Sequence, residues 1–159
     1  MKEQLTVVKL GGTIIDSDED LKIFLKHFSK IQGAKILVHG GGKIATTIGN
    51  QLGIAPIMIE GRRVTTAETL ELVTMVYAGL LNKKIVAQLQ SCSCNAFGLC
   101  GADGNLIRAK KRSVQPIDFG FVGDPELVDA QLLNTLLSEN LTPVIAPITH
   151  NGQGQLLNT

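Results

Sequence analysis

The sequence has few aromatic side chains and almost no net charge, and each shortage narrows the classes of protein to consider. Phe, Tyr and Trp make up 4% of the 159 residues and Trp is absent, so we expect a core of Val, Ile, Leu and Ala, as in buried parallel sheets. A formal net charge of +1 offers no basic surface for nucleic acid. Hydrophobic residues still make up 44% of the chain, enough for one ordered domain.

Cysteines and long apolar runs are also scarce. Cys92, Cys94 and Cys100 are odd in number, and their spacing, without a nearby His, does not suit a zinc site. We therefore expect reduced thiols and no metal held by protein ligands. No stretch reaches the ~18 apolar residues that cross a bilayer, and no basic segment leads into an apolar signal core. These observations predict a soluble, cytoplasmic protein without membrane or nucleic-acid partners.

Strand-like and helix-like patterns alternate along the chain. Strands are predicted at 5–10, 35–39, 96–99 and 142–148, a short extended piece at 56–59, and hairpins within 104–128. Helices are predicted at 17–32, 43–52, 65–90 and 129–140, whereas 151–159 is typical of a turn-like tail. Ser17 with Asp20, and Thr65 with Glu68, have the spacing of capping boxes. The order predicts an α/β three-layer sandwich around a mostly parallel sheet.

The predicted helix at 65–90 has an apolar surface wider than one core-facing stripe requires. The surface includes Leu70, Val73, Tyr77 and Leu81 on one side, with further apolar residues around the helix. Two interpretations remain open: the helix is fully buried within its own chain, or part of it contacts a second subunit.

Two glycine-rich turns follow predicted strands, Gly11-Gly12 and Gly40-Gly41-Gly42. In an open parallel sheet, ligands gather at the carboxyl ends of the strands, and glycine lets the backbone approach them closely. The two turns together indicate a phosphate or carboxylate site. Lys9 would be either a solvated strand-edge lysine or a cation that stabilises developing phosphoryl charge.

Two more side chains near these turns allow alternative roles. Arg63, in a loop that enters a helix, would either grip a carboxylate with two parallel hydrogen bonds or face solvent alone. His39 could be taken for a general base, but a half-buried histidine at a strand end, hydrogen-bonded to backbone, is the interpretation we prefer.

A dinucleotide-binding fold is a second interpretation of the same turn. The run from Gly40 to Ala45 follows a strand, opens a helix and fits the glycine pattern of such folds, and Glu60 is spaced to bind a ribose hydroxyl. This pattern explains neither Lys9 nor the Arg63 loop. A P-loop is excluded because Ile44, rather than Ser or Thr, follows Lys43.

In combination, these motifs resemble a known family. Lys9-Leu10-Gly11-Gly12 resembles the opening of amino-acid kinases, and Val38-His39-Gly40-Gly41-Gly42 resembles their second glycine loop. The segments 61–65, 120–123 and 154–158 narrow the resemblance to the acetylglutamate kinases, and it extends over the whole chain.

The resemblance implies a role for particular residues. Lys9 would stabilise the transition state, Gly11 and Gly12 would contact the ATP phosphates, and Gly41, Gly42, Arg63 and Asn158 would bind the substrate, N-acetyl-L-glutamate. The γ-carboxylate of that substrate would attack the γ-phosphorus of ATP directly, with Mg²⁺ screening the phosphates, as a step of arginine biosynthesis.

The resemblance also implies what residues 1–159 lack. They would form the acyl-amino-acid-binding lobe, and the carboxy-terminal lobe that binds ATP would be absent from this chain. We therefore expect weak substrate binding and little kinase activity from this chain alone. It also implies a homodimer formed through Leu70–Leu81, and it makes feedback inhibition by arginine a weaker expectation.

Three further alternatives stay open. They are a nicotinamide-cofactor-binding half-domain, a non-catalytic acyl-glutamate-binding module, and a kinase for a related substrate such as aspartate or an N-succinyl amino acid.

Overall fold

The chain alternates between short strands and helices through most of its length. The computed structural model describes residues 5–159, and in that range the strands are β1 (Thr6–Leu10), β2 (Lys35–His39), β3 (Ile57–Ile59), β4 (Arg62–Val64), β5 (Ala96–Cys100), β6 (Ile107–Lys111), β7 (Gly123–Val128), β8 (Thr142–Ala146), β9 (Ile148–His150) and β10 (Leu156–Asn158). The α-helices are α1 (Gly12–Ile15), α2 (Asp18–Ser29), α3 (Gly42–Gln51), α4 (Ala67–Val73), α5 (Asn82–Ser91) and α6 (Ala130–Ser138). A π-helical segment, Thr74–Leu81, joins α4 to α5.

A four-stranded parallel sheet has the strand order β1-β2-β8-β5. Every residue of β8 is buried, and in β2 only Val38 is partly exposed, as expected for strands that are covered on both faces. The register pairs Leu10 with His39, the last residues of β1 and β2. The two glycine turns of the sequence therefore begin side by side at one end of the sheet.

Helices cover both faces of this sheet. On one face, Leu37 and Val144 join the main core with side chains from α2, α4, the π-helical segment and α5. On the other face, Ile36 and Ile145 pack against partly buried leucines of α6. Side chains alternate between the faces because successive residues of a strand point in opposite directions. The arrangement confirms the predicted α/β three-layer sandwich with a parallel sheet.

The helix caps test two predictions from the sequence. The Ser17 hydroxyl accepts a hydrogen bond from the N–H of Asp20 at 3.2 Å and caps α2, as predicted. The predicted cap at Thr65 is wrong, because Thr66 caps α4 and accepts from the N–H of Thr69 at 3.2 Å. Thr65 is instead fully buried. Two neighbouring threonines have the same capping chemistry, and only the packing of the chain decides between them.

The helix predicted at 65–90 corresponds to α4, the π-helical segment and α5 in continuous succession. Most of its broad apolar surface is covered by its own chain, since Leu70, Leu72, Val73, Val76, Tyr77 and Leu81 are all buried. Met75 and Leu80 remain 58% and 53% exposed. Within residues 5–159, no helix has both the length and the apolar character needed to cross a bilayer.

A second sheet has the strand order β10-β9-β6-β7, and β3 pairs with β4 in a separate antiparallel hairpin. The antiparallel pairing of β6 with β7 confirms the hairpin structure predicted within 104–128. The predicted strand at 142–148 is divided between the two sheets at Pro147, whose nitrogen has no hydrogen to donate. The turn-like tail was an incomplete prediction, because Leu156–Asn158 forms β10 and pairs with β9.

Candidate functional site

A cavity of about 740 Å³ lies at the carboxyl ends of β1, β2 and β8. The β3–β4 hairpin, the π-helical segment and the second sheet provide its other walls. Of the site residues predicted from the sequence, those that line the cavity are Lys9, Gly41, Gly42, Arg63 and Asn158. These five residues come from four separate parts of the chain, since Gly41 and Gly42 are adjacent, and the fold brings them to one place.

Gly11 and Gly12 are not among the residues that line the cavity. They lie at its border, because Gly11 follows Leu10, which pairs with His39 immediately before Gly40. A β-carbon placed on Gly11, Gly12 or Gly40 would meet no atom within 4 Å. The backbone at Gly11, Gly12 and Gly40 is therefore open to a ligand that extends beyond the cavity.

Gly41 occupies a position that only glycine suits. Its φ of +150° is unusual for residues with a side chain, and a β-carbon there would collide with Leu81 and lie 3.2 Å from the ring of Tyr77. Since α3 begins at Gly42, the N–H groups of Gly41 and Gly42 have no carbonyl oxygen within the helix to which they could donate. Neither the Gly41 nor the Gly42 N–H has a hydrogen-bond partner among residues 5–159, so both can hold an anion.

The position of Lys9 follows from strand alternation. Leu10 is fully buried in the core, whereas Lys9 is exposed and lines the cavity. Lys9 thus lines the same cavity as Gly40, Gly41 and Gly42.

Arg63 lies on β4, and its guanidinium group ties the β3–β4 hairpin to the start of α3. The nitrogen Nη2 donates to the carbonyl oxygen of Gly42 at 2.9 Å and to the hydroxyl of Thr46 at 2.7 Å. Burial raises the pKa of the neighbouring Tyr77 phenol, although the Arg63 charge opposes this rise. A neutral phenol and a cationic guanidinium therefore share this wall of the cavity.

Asn158 reaches the cavity from β10, and its side-chain amide has a defined orientation. The amide nitrogen donates to the Thr65 hydroxyl at 3.0 Å. The backbone of Thr65 is itself held by the loop before β7: its carbonyl oxygen accepts from the N–H of Phe121 at 2.8 Å, and its N–H donates to the carbonyl oxygen of Phe119 at 2.9 Å. With its nitrogen engaged, the Asn158 amide can present its oxygen to a ligand.

His39 does not serve as a free general base in this structure. It is 2% exposed, and its Nδ1 lies 2.9 Å from the carbonyl oxygen of Gly40. Burial lowers the pKa of the imidazole, so the ring is neutral. The predicted contact with backbone is present, but the ring is buried rather than half-buried.

The structure has the glycine turn between a strand and a helix that a dinucleotide-binding fold requires, but among residues 5–159 it does not have an acidic residue in the position that such a fold requires. In dinucleotide-binding folds that acid follows a parallel strand next to the glycine-rich turn. Glu60 instead lies in the turn of the antiparallel β3–β4 hairpin, where its φ is +49°, and it is not among the cavity residues. The ribose role predicted for Glu60 is therefore not supported.

Tyr77 and Thr46 line the cavity but were not predicted as site residues. Tyr77 belongs to the apolar helical pattern, which shows only that it is buried. Thr46 follows Gly42 by one helical turn, and that spacing, four residues, could have indicated that it shares the exposed start of α3.

Comparison with known proteins agrees with this geometry. Residues 4–159 match the sequence model of the amino acid kinase family. The chain is 56% identical over 159 residues to acetylglutamate kinase from Bacteroides fragilis, covering 100% of this chain and 61% of that relative. The chain thus spans about three fifths of the length of the curated relatives that it matches.

Solved structures share the fold at low sequence identity. The protein smu.665 from Streptococcus mutans UA159 has a TM-score of 0.83 at 21% identity, and the match covers 97% of this chain and 62% of the smu.665 chain. An N-acetylglutamate synthase from Neisseria gonorrhoeae, complexed with coenzyme A and N-acetyl-glutamate, has a TM-score of 0.79 at 20% identity. That match covers 97% of this chain and 36% of the synthase chain. These likenesses concern the fold alone. The match over residues 4–159 shows that the chain belongs to the amino acid kinase family.

Proposed function

We propose that residues 1–159 form the acyl-amino-acid-binding lobe of an acetylglutamate kinase, which transfers the γ-phosphoryl group of ATP to the γ-carboxylate of N-acetyl-L-glutamate. The observation that carries this proposal is the convergence of Lys9, the open Gly41 and Gly42 N–H groups, Arg63 and Asn158 on one cavity. The similarity to acetylglutamate kinases over the whole chain supports the same substrate.

On the substrate side of the cavity, several protein groups would complement the charged and polar groups of N-acetyl-L-glutamate. Arg63 would pair with one carboxylate of the acyl-amino acid, and the N–H groups of Gly41 and Gly42 would bind the reacting carboxylate. The oxygen of the Asn158 amide would accept a hydrogen bond from the acylated nitrogen. Three separate contacts would fix the orientation of a small, flexible dianion before the reaction.

The phosphate side of the site would use Lys9, Gly11 and Gly12. The open backbone of Gly11 and Gly12 leaves room for the ATP phosphates, and the Lys9 ammonium would stabilise charge that develops on the transferred group. Because the substrate carboxylate is the nucleophile, the reaction requires no nucleophilic side chain. The chain's contribution is positioning and neutralisation of charge.

Mg²⁺ would be held by the nucleotide rather than by this chain. Among residues 5–159, no three His, Cys, Asp or Glu side chains are grouped as a metal site would need. Mg²⁺ commonly keeps several waters and binds phosphate oxygens, so it would need no ligand from Lys9, Arg63 or the glycine N–H groups, which suit anions instead. When bound, the ion would neutralise phosphate charge.

The adenine-binding lobe would lie in the part of the relatives that this chain does not span. We propose that residues 1–159 bind acyl-glutamate weakly and transfer phosphate slowly, and that the complete protein works in arginine biosynthesis in the cytoplasm. A non-catalytic acyl-glutamate-binding module is the alternative that the same cavity would allow.

We also propose a homodimer formed through Leu70–Leu81. The support is the exposed apolar part of the π-helical segment, Met75 and Leu80. Sedimentation at micromolar concentration should give a dimer, and Leu80→Lys should shift it to monomer. Leu52→Lys, at a residue that is 59% exposed elsewhere on the surface, should leave it unchanged. A monomeric unmodified chain would count against this interface.

Calorimetric titration of the purified chain, with N-acetyl-L-glutamate, ATP with Mg²⁺ and NADH in separate runs, tests the proposed function. Tyr77, the only tyrosine in a chain without Trp, lines the cavity, so its fluorescence provides a second readout. We expect acetylglutamate to bind and to change the fluorescence. Acetylglutamate binding without any response to ATP would favour the binding module, and NADH binding alone would contradict the proposal. Competition by N-succinyl-L-glutamate or aspartate would identify the preferred substrate.

A further inference from the structure

Asn82 is a buried polar residue that the chemistry described above does not use. It opens α5 and is fully buried beneath the carboxyl end of the sheet. Its amide nitrogen donates to the carbonyl oxygen of Val144 at 2.9 Å and lies 3.2 Å from Nε2 of His39. Its amide oxygen accepts from Nζ of Lys83 at 2.9 Å. The side chain therefore connects α5 with β2 and β8.

The orientation of the Asn82 amide is determined by its neighbours. A backbone carbonyl can only accept a hydrogen bond, so the amide nitrogen must face Val144. An ammonium group can only donate, so the amide oxygen must face Lys83. Reversing the amide would place two acceptors together on one side and two donors together on the other.

This orientation selects one protonation state of His39. Because the nitrogen of Asn82 is a donor, Nε2 of the ring must accept and carry no proton. The proton is then on Nδ1, which donates to the carbonyl oxygen of Gly40 at 2.9 Å. Burial and the nearby Lys83 charge both lower the pKa of His39, which is consistent with a neutral ring.

The Gly40 carbonyl belongs to the same peptide unit as the N–H of Gly41. A trans peptide unit is planar, so fixing the direction of its carbonyl fixes the N–H in the opposite direction. His39 pulls the carbonyl toward the core, and the Gly41 N–H consequently points away from the core.

We infer that Asn82 is a positioning residue that acts through His39 to aim the Gly41 N–H at the ligand. The inference rests on the proposed function for the identity of that ligand.

A glycine in the neighbouring strand supports this arrangement independently. Lys83 also donates to the carbonyl oxygen of Gly98, in β5, at 3.2 Å. A β-carbon on Gly98 would collide with the amide oxygen of Asn82 and would lie 2.9 Å from Nζ of Lys83. Strand β5 thus has no side chain at the point where Asn82 and Lys83 pack against it.

The substitution Asn82→Asp tests the inference, because a carboxylate has nearly the same shape as the amide but can only accept hydrogen bonds. Asn134→Asp, at an exposed position of α6, makes the same chemical change away from the site. Nitrogen NMR of the imidazole ring reports the tautomer, the Gly41 amide resonance reports the loop, and calorimetry reports the affinity for N-acetyl-L-glutamate. Thermal unfolding verifies that each variant is folded.

In the unmodified chain we expect a neutral His39 with its proton on Nδ1. In Asn82→Asp, the ring proton should move from Nδ1 to Nε2, so that Nδ1 no longer donates to the Gly40 carbonyl; the Gly41 amide resonance should then move, and acetylglutamate should bind at least about tenfold more weakly. Asn134→Asp should change none of these.

A protonated Nε2 in the unmodified chain would overturn the inference without any variant. A loss of less than about twofold in affinity, despite a changed tautomer, would overturn it as well. If the unmodified chain binds no acetylglutamate, the proposed function fails. The tautomer and the Gly41 resonance then decide separately whether Asn82 positions the loop.

Discussion

The substitution Arg63→Ala separates two contributions of one side chain. The first is structural, because Nη2 of Arg63 holds the Gly42 carbonyl and the Thr46 hydroxyl at 2.9 and 2.7 Å. Both bonds are near the surface, and their loss should lower the free energy of unfolding by about 1–2 kcal/mol in total. The second is the proposed pair with a substrate carboxylate, which should contribute about 1.5–3 kcal/mol to binding. This range corresponds to a Kd that is roughly 10- to 150-fold higher.

Arg62→Ala is the matched control for this experiment. Arg62 is the preceding residue on β4, it is exposed, and it is not among the cavity residues. The control removes the same charge from the same hairpin, so it accounts for general electrostatic attraction of the dianionic substrate. Calorimetric titration with N-acetyl-L-glutamate at two salt concentrations measures both variants, and urea denaturation measures their stability. Equal losses of affinity in Arg62→Ala and Arg63→Ala would refute the assigned contact. Arg63→Lys should recover only part of the affinity, since an ammonium group lacks the planar fork of arginine.

Three further predictions concern the surrounding structure. Gly41→Ala should lower the free energy of unfolding by about 1–3 kcal/mol in urea denaturation, because of the positive φ at this position and the side chains beneath it. Gly40→Ala, where no atom lies within 4 Å of the added carbon, should lower the free energy of unfolding by less. Equal losses of stability in the two variants would contradict this explanation. Thr65→Val should weaken acetylglutamate binding in calorimetry, since the Asn158 amide loses its acceptor, and unchanged affinity would show that Asn158 needs no such support. Burial lowers the pKa of His39 in the folded protein, so the free energy of unfolding should fall as pH falls below about 6.5, where the unfolded chain takes up the proton first; His39→Gln should remove this part of the slope.

The parts of the site that were predictable from the sequence are those with a local signature. The glycine turns follow β-branched strands directly, so their place at the end of a parallel sheet follows from topology. Lys9 precedes the first turn by two residues, and strand alternation accounts for its exposure. The sandwich fold was predictable for the same reason, because periodic apolar patterns distinguish strands from helices.

The remaining contacts join residues that are far apart in the sequence, and no local pattern indicates them. Asn82 meets His39 across 43 residues, and Asn158 meets Thr65 across 93 residues. A buried asparagine or threonine has no characteristic neighbours, and only the tertiary packing determines which partner it finds. The wrong cap at Thr65 has the same origin, since the loop before β7 holds that residue in the core.

The register between β1 and β2 places a limit on how this protein can change during evolution. Successive residues in a strand advance by about 3.3 Å and point to opposite faces. Deleting one residue from β1 would move the Gly11 turn along the sheet, away from the Gly40 turn, and would exchange the directions of Lys9 and Leu10. Replacing Val7, which is 58% exposed, with another β-branched residue would leave these relations intact. Related sequences should therefore tolerate substitutions in this strand, while insertions and deletions should be confined to the loops that precede and follow the paired strands.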